Sequence, residues 1–166
     1  MRRAALAGLV RCGEPRVGRE LVAIAADPHA ATSLRAYAAS LAGATGDRTL
    51  LPALLEILAA ARAEALASPD PVSGDGAVRV AAAAAHALGD LDDGRATKVL
   101  VDAAGDPLLP VLQASALGAL AKRCPRELAP QILEVAERAL RGGDALVGRA
   151  ARLAQRRCGL QDAAAP

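Results

Sequence analysis

Residues 80–93 read Val-Ala-Ala-Ala-Ala-Ala-His-Ala-Leu-Gly-Asp-Leu-Asp-Asp, and this stretch decides the fold. Alanine is the strongest helix former, and Gly89 marks the point at which such a helix is expected to end. The aspartates that follow the glycine are typical of a polar turn. Weaker copies of the same pattern occur on both sides of the stretch, so the sequence indicates an array of repeated helices.

The composition favours helices over strands. Of the 166 residues, 53% are hydrophobic but only 1% are aromatic, and Tyr37 is the single aromatic side chain. A core of alanine, leucine and valine suits closely stacked helices, whereas strands favour β-branched and aromatic residues. The formal net charge of +2 is well below the basic excess that is typical of dedicated nucleic-acid binders. We therefore predict an all-α protein.

The repeated pattern predicts about nine helices in a single domain over residues 1–159. A leading half unit at 3–12 is followed by four helix pairs, each made of a first and a second helix. The pairs are expected at 16–26 with 32–41, 48–67 with 77–88, 95–104 with 109–123, and 126–141 with 145–157. The Ser, Pro, Asp and Gly-rich segment 68–76 is predicted to be a flexible loop within the array, and 160–166 a disordered tail.

The three cysteines recur with the helices. Cys12, Cys124 and Cys158 each follow an arginine at the predicted end of a second helix, so we expect them in equivalent positions of different repeats. Their odd number and wide spacing are typical of reduced thiols rather than of a disulfide framework. The sequence also shows no signal peptide and no uncharged run long enough to span a membrane. These features predict a cytoplasmic protein with no membrane partner.

Three segments share a motif. Residues 34–43 read Leu-Arg-Ala-Tyr-Ala-Ala-Ser-Leu-Ala-Gly after an Asp-Pro turn at 27–28, residues 80–89 end in Ala-Leu-Gly, and residues 116–118 read Ala-Leu-Gly after an Asp-Pro turn at 106–107. This motif resembles the second helix of the bacterial HEAT-like repeat family, which includes the phycobilisome-lyase-type HEAT repeats. The resemblance covers nearly the whole chain. It implies an α-α superhelix, a helical-repeat solenoid, whose second helices line an inner binding surface.

Catalytic signatures are absent from the sequence. It contains no phosphate-binding loop, no Gly-x-Ser-x-Gly elbow and no dinucleotide fingerprint. The two histidines lie in different units, neither has a glutamate beside it, and the one local pair the sequence allows is His86 with Asp90, four residues on. A zinc site needs several converging ligands, so no metal is predicted, and no cofactor or small-molecule substrate is indicated. We therefore predict a non-enzymatic scaffold or adaptor that binds another protein through its inner surface. Its candidate binding residues on second helices are Arg35, Tyr37, Arg79 and His86.

Two alternatives stay open. Arg149, Arg152 and Arg156 are spaced three and four residues apart, which puts them on one face of the last helix. Such a face fits an acidic protein surface, a nucleic acid or another polyanion, but the chain has no Trp or Phe to stack on bases. The second alternative comes from the family resemblance and is a lyase-like chaperone of cofactor attachment.

Overall fold

The computed structural model describes residues 16–68, 71–91 and 93–162, together with Ala4, Ala7, Gly8 and Val10. Regular structure in the three long segments is entirely helical, which confirms the all-α prediction. The α-helices are α1 (Val17–Ala26), α2 (Thr32–Ala44), α3 (Leu51–Ala67), α4 (Pro71–Asp90), α5 (Gly94–Ala104), α6 (Pro110–Arg123), α7 (Ala129–Arg141) and α8 (Ala145–Asp162). Short 3₁₀ turns at Arg48–Leu50 and Arg126–Leu128 lead into α3 and α7. None of the described helices is long and apolar enough to cross a membrane.

The helices form four consecutive pairs. In each pair the first helix (α1, α3, α5 or α7) packs against the second helix (α2, α4, α6 or α8). The second helices also pack against one another in chain order, and the first helices touch their neighbours more lightly. The substantial contacts in the described part all join helices one or two positions apart, as expected when repeated pairs are stacked in two layers.

The predicted boundaries need two corrections. The predicted loop at 68–76 is wrong from residue 71 onward, because α4 begins at Pro71. Proline suits the first turn of a helix, where its missing N–H would have no partner. Gly76 packs against Thr32 of α2, so a tertiary contact extends the helix through a glycine-rich sequence. The predicted tail at 160–166 is likewise helical as far as Asp162, where α8 ends.

Two predicted segments fall outside the described residues. They are most of the leading helix at 3–12 and the last four residues of the chain, 163–166. The last predicted helix start is confirmed, because the Asp144 carboxylate accepts a hydrogen bond from the Val147 backbone N–H at 2.9 Å. A side chain that caps a free N–H in this way favours the start of a helix.

Alanine and glycine let the second helices approach closely. α4 packs against α2, α3 and α6, and most of its alanines are buried. A Cβ added to Gly43 of α2 would lie 2.6 Å from the Cβ of Ala87, and one added to Gly89 of α4 would lie 2.6 Å from the Cβ of Ala119 in α6. Real Cβ atoms do not come so close, so these two glycines are required by direct contact between neighbouring helices.

The two Asp-Pro turns share a hydrogen bond between the aspartate side chain and the backbone two residues on. The Asp27 carboxylate accepts a hydrogen bond from the backbone N–H of His29 at 2.9 Å, and the Asp106 carboxylate accepts one from Leu108 at 3.0 Å. Asp106 is buried and also accepts two hydrogen bonds from the guanidinium of Arg62 in α3, at 2.8 and 3.0 Å. The matching turns are a sign of internal repetition, and the arginine ties α3 to the turn before α6.

The reduced-thiol prediction is wrong for two of the cysteines. Cys124, which directly follows α6, and Cys158 in α8 form a disulfide, with their Cα atoms 5.4 Å apart. Both side chains are buried. The two positions are 34 residues apart, about one helix pair, so equivalent positions in neighbouring second helices lie side by side. The equivalence was predicted, but its consequence was not. Cys12 lies outside the described residues.

Candidate interaction surface

Each second helix has an uncovered side, and we call these sides together the second-helix surface. α6 packs against α4, α5 and α8, so one side of it stays uncovered. That side carries residues three or four positions apart, namely Val111, Ser115, Gly118 and Lys122. The corresponding stripe of α4 carries Asp75, Arg79, His86 and Asp90. Because α4 and α6 lie side by side in one layer, their stripes adjoin.

Charges on α4 and α6 are paired within this surface. Arg79 forms an ion pair with Asp75 at 2.6 Å along α4. Lys122 of α6 donates a hydrogen bond to Asp90 of α4 at 2.8 Å, and its Nζ lies 3.2 Å from Nε2 of His86. Two of the predicted binding residues, Arg79 and His86, are therefore exposed on the second-helix surface. Tyr37 is partly buried on α2.

Arg35 does not lie on this surface, which corrects its predicted position. Only 8% of the residue is exposed, and its Nε donates a hydrogen bond at 3.2 Å to the backbone carbonyl of Ala25, in the last turn of α1. Its Nη1 lies 3.6 Å from the carboxylate of Glu64 in α3. Arg35 is in the first turn of α2, on the side that faces the first helices. It therefore holds two first helices together instead of facing a partner.

Gln113 occupies the same place in another pair, and sequence reasoning missed it. Gln113 is the fourth residue of α6, as Arg35 is the fourth residue of α2. Its side-chain amide donates a hydrogen bond at 2.9 Å to the carbonyl of Ala104, in the last turn of α5. The signal for this equivalence was the distance from the Asp-Pro turn, since both residues follow the aspartate by seven or eight positions.

The three predicted arginines of the last helix are brought together. Arg149, Arg152 and Arg156 are all exposed on α8, opposite the side that buries Val147 and Ala151. The Arg152 guanidinium reaches back along α8 to the space beside Gly148. None of the three arginines has an ion-pair partner among the described residues. This face of α8 thus carries positive charge that its neighbours do not neutralise.

A polar cavity lies where α4 and α6 end. It has a volume of about 520 Å³ and is lined by Gly89, Asp90, Leu91, Asp93, Thr97, Lys122, Arg123 and Pro125. Arg123 donates hydrogen bonds to the carbonyls of Gly89 and Asp90 at 3.2 and 2.7 Å. The sequence marks Arg123 only as the residue before Cys124 and predicts no binding role for Lys122 or Arg123. A basic pair in the last turn of a second helix was the available signal, because such residues stabilise helix carboxyl ends.

The polar groups around this cavity are engaged with one another. The side chain and the backbone N–H of Arg95 donate hydrogen bonds to Asp93, which holds the pKa of this carboxyl below its ordinary value of 3.8. Lys122 pairs with Asp90, and Arg123 binds carbonyls. Within the described segments, no three His, Cys, Asp or Glu side chains converge as a metal site would require. The hydrogen bonds and ion pairs around the cavity thus connect the end of α4 with the end of α6 and cap the start of α5.

No family model, no curated protein and no solved structure matches this chain. The resemblance to HEAT-like repeats therefore stays a prediction from the sequence motif.

Proposed function

We propose that this chain is a HEAT-like helical-repeat module that acts without catalysis and binds another protein through the second-helix surface. The observation that carries this proposal is the common orientation of the uncovered stripes of α4 and α6, which adjoin in one layer. A repeat array of this kind offers an extended surface to a partner.

The surface is pre-formed. Neighbouring second helices touch at Gly43 and Gly89, and Arg123 binds the last carbonyls of α4 across the gap between helices. The disulfide from Cys124 to Cys158 links α6 to α8. A surface held in this way loses little conformational entropy when a partner binds, and low ordering cost favours affinity.

The test is a selection of binding peptides from a displayed random library, followed by affinity measurements on charge-reversal variants. On the second helices the variants are Arg79→Glu in α4, Lys122→Glu in α6 and Arg156→Glu in α8. Their matched controls on first helices are Arg138→Glu in α7, Lys98→Glu in α5 and Arg19→Glu in α1. Arg138 is the closest control for Arg79, because each is exposed and paired with a carboxylate one turn earlier, Glu134 and Asp75 respectively.

Selected peptides are expected to lose affinity for one or more of the second-helix variants and to keep it for the first-helix variants. Loss of affinity only for the first-helix variants would refute the proposed surface. Stable folding of every variant is checked by its circular dichroism melt.

The alternative functions and the predicted location stay predictions. The nucleic-acid alternative is supported by the unpaired arginines of α8 alone, and the lyase-like alternative by the sequence resemblance alone. The disulfide removes free thiols as a reason for a cytoplasmic location, because disulfides persist mainly in oxidising compartments. Cell fractionation of the native host is the direct test of that location.

A further inference from the structure

We propose that the exposed face of α8, together with the start of α6, docks an acidic amphipathic helix of a partner protein. This inference rests on the proposed function and names the kind of partner. We call the face the α8 patch and define it by its leucines and arginines, namely Leu146, Leu153, Arg149, Arg152 and Arg156, with Leu108 and Val111 beside them.

The first component of the patch is apolar. Leu146 and Leu153 are 42% and 39% exposed, and they are seven residues apart, which puts them on the same side of α8. Large side chains on a helix are normally turned toward the core, and this helix buries Val147, Ala151 and Ala154 there. The two leucines therefore lie on one flank of α8, between its core contacts and its arginines.

The start of α6 extends the apolar area. Cys124 and Cys158 set the register of α6 against α8 at 34 residues, so Val111 is level with the first turn of α8, the turn that carries Leu146. Val111 is 38% exposed, and Leu108, just before α6, is 73% exposed. Four of the five large apolar side chains with the greatest exposure in the described residues thus belong to this end of the array. Exposed apolar residues that cluster in this way mark interaction sites.

The second component is uncompensated positive charge. Arg149 lies three residues after Leu146, and Arg156 lies three residues after Leu153, so the arginines run alongside the leucines. Elsewhere on the second-helix surface the charges are paired, as in Arg79 with Asp75 and Lys122 with Asp90. No such pair is formed by the arginines of the patch in the described part of the chain. The carboxylates of a partner protein are the groups that would form ion pairs with these arginines.

These two components favour an acidic helix over other partners. An amphipathic helix presents an apolar stripe with polar residues on its flanks, and glutamates on one flank would meet the arginines. A nucleic acid would use the arginines but leave the leucines in water, and α8 carries no aromatic side chain on which a base could stack. A second copy of this chain, docked by the same face, would bring arginine against arginine, which is unfavourable.

The experiment uses the full chain and a fluorescent helical peptide of about 18 residues, or five turns, with leucines at i, i+3 and i+7 and glutamates beside them. A matched peptide carries lysine in place of each glutamate, and a single-stranded oligodeoxynucleotide of similar net charge is the third probe. Fluorescence anisotropy measures each affinity at about 50 and about 500 mM NaCl, since salt screens exposed charges. We expect the acidic peptide to bind best and to bind more weakly at high salt.

Two double variants assign that binding to the patch. Leu146→Ser with Leu153→Ser, and Arg149→Glu with Arg156→Glu, are each expected to weaken the acidic peptide about tenfold or more, because a few central residues carry most binding energy. The control for the leucines is Leu66→Ser, an exposed leucine of α3, and the control for the arginines is Lys98→Glu with Arg126→Glu. Both controls are expected to leave the affinity within about twofold.

Four results would overturn the inference. The first is that the acidic peptide binds no more tightly than the lysine peptide, and the second is that both patch variants keep the wild-type affinity. The third is that the oligonucleotide binds more tightly than the acidic peptide and that its binding depends on the arginines but not on the leucines. The fourth is that the protein is a dimer and that the leucine variant is a monomer. Hydrogen exchange of the wild-type protein keeps the test independent of variant folding, since the peptide must protect amides of α8. If these tests fail while selected library peptides still map to α4 and α6, the proposed function stands without this partner.

Discussion

Position four of a second helix is a structural site in this protein. Arg35 and Gln113 each donate a side-chain hydrogen bond to the last turn of the preceding first helix, to the carbonyls of Ala25 and Ala104. Carbonyls at a helix end lack partners within the helix, so a donor from the next helix satisfies them. The residue type is free to change between pairs because only an N–H donor is needed.

Replacement of Arg35 tests this role. Arg35→Ala leaves a buried carbonyl without its donor and removes the pair with Glu64, so we expect a loss of about 2 kcal/mol in the free energy of unfolding. Arg79→Ala, which removes an exposed pair along α4, is expected to cost less than about 0.5 kcal/mol. Urea denaturation measures both values. Equal effects of the two substitutions would contradict the structural assignment.

Asp93 is expected to make stability depend on pH in acid. Its pKa in the folded protein is lowered, first by the hydrogen bond from the Arg95 side chain and then by that from the Arg95 backbone N–H. A lowered folded pKa gives stability that is fully present above about pH 4 and is lost as the pH falls through the folded value. The melting temperature of the wild type should therefore exceed that of Asp93→Asn at pH 7, and the difference should shrink as the pH falls below the ordinary pKa of 3.8. A difference in melting temperature that stays constant with pH would show that the charge of Asp93 does not cause it. Asp102→Asn on α5 is the control for the loss of one negative charge elsewhere on the protein.

At the scale of helices, the distance between neighbouring second helices decides at which positions a glycine is required. Gly43 and Gly89 lie against Ala87 and Ala119 of neighbouring second helices. Gly118 ends an Ala-Leu-Gly sequence, as Gly89 does, but it lies well inside α6, and no atom beyond the backbone of its own helix would lie within 4 Å of an added Cβ. The motif therefore marks two different environments, and only the packing distinguishes them.

A pair of alanine substitutions separates these environments. Gly43→Ala forces α2 and α4 apart and is expected to destabilise the protein by about 1–3 kcal/mol. Gly118→Ala meets open space in a helix interior and is expected to stabilise it by about 0.5–1 kcal/mol, because alanine favours the helix. Thermal melts of the two variants give effects of opposite sign if the packing is as described. The same sign for both would contradict it.

At the scale of the whole molecule, each helix pair is stabilised by its contacts with the neighbouring pairs. Each pair contacts mainly the pairs beside it, so the pair α7–α8 depends on its contact with α6. The disulfide between Cys124 and Cys158 reinforces that one boundary. A crosslink restricts the unfolded chain and raises stability by about 2–4 kcal/mol for a loop of moderate length.

Removal of the disulfide should therefore loosen one end of the array first. In a Cys12→Ser background, Cys124→Ser with Cys158→Ser is expected to lower the free energy of unfolding by about 2–4 kcal/mol. Hydrogen exchange should accelerate in α7 and α8 before it does in α3 and α4. A thiol titration of the denatured, unreduced wild type should find one free thiol, since two of the three cysteines are joined. Three free thiols, or equal acceleration throughout the chain, would contradict this account.

The sequence by itself determined the helices, their pairing and the Asp-Pro turns. Alanine content, helical spacing and turn residues act over a few positions, so they can be recognised without knowledge of the rest of the chain. The binding role that the sequence indicates for Arg79, His86 and the arginines of α8 stays a prediction.

Only the tertiary structure decided which sides of the helices are covered and which groups meet. The burial of Arg35, the helical start at Pro71 and the disulfide all depend on how one helix is positioned against another. The deciding contacts join residues far apart in sequence, such as Arg62 with Asp106, at a separation of 44, and His86 with Lys122, at a separation of 36. Register between helices sets such contacts, and register follows from packing that no local pattern encodes.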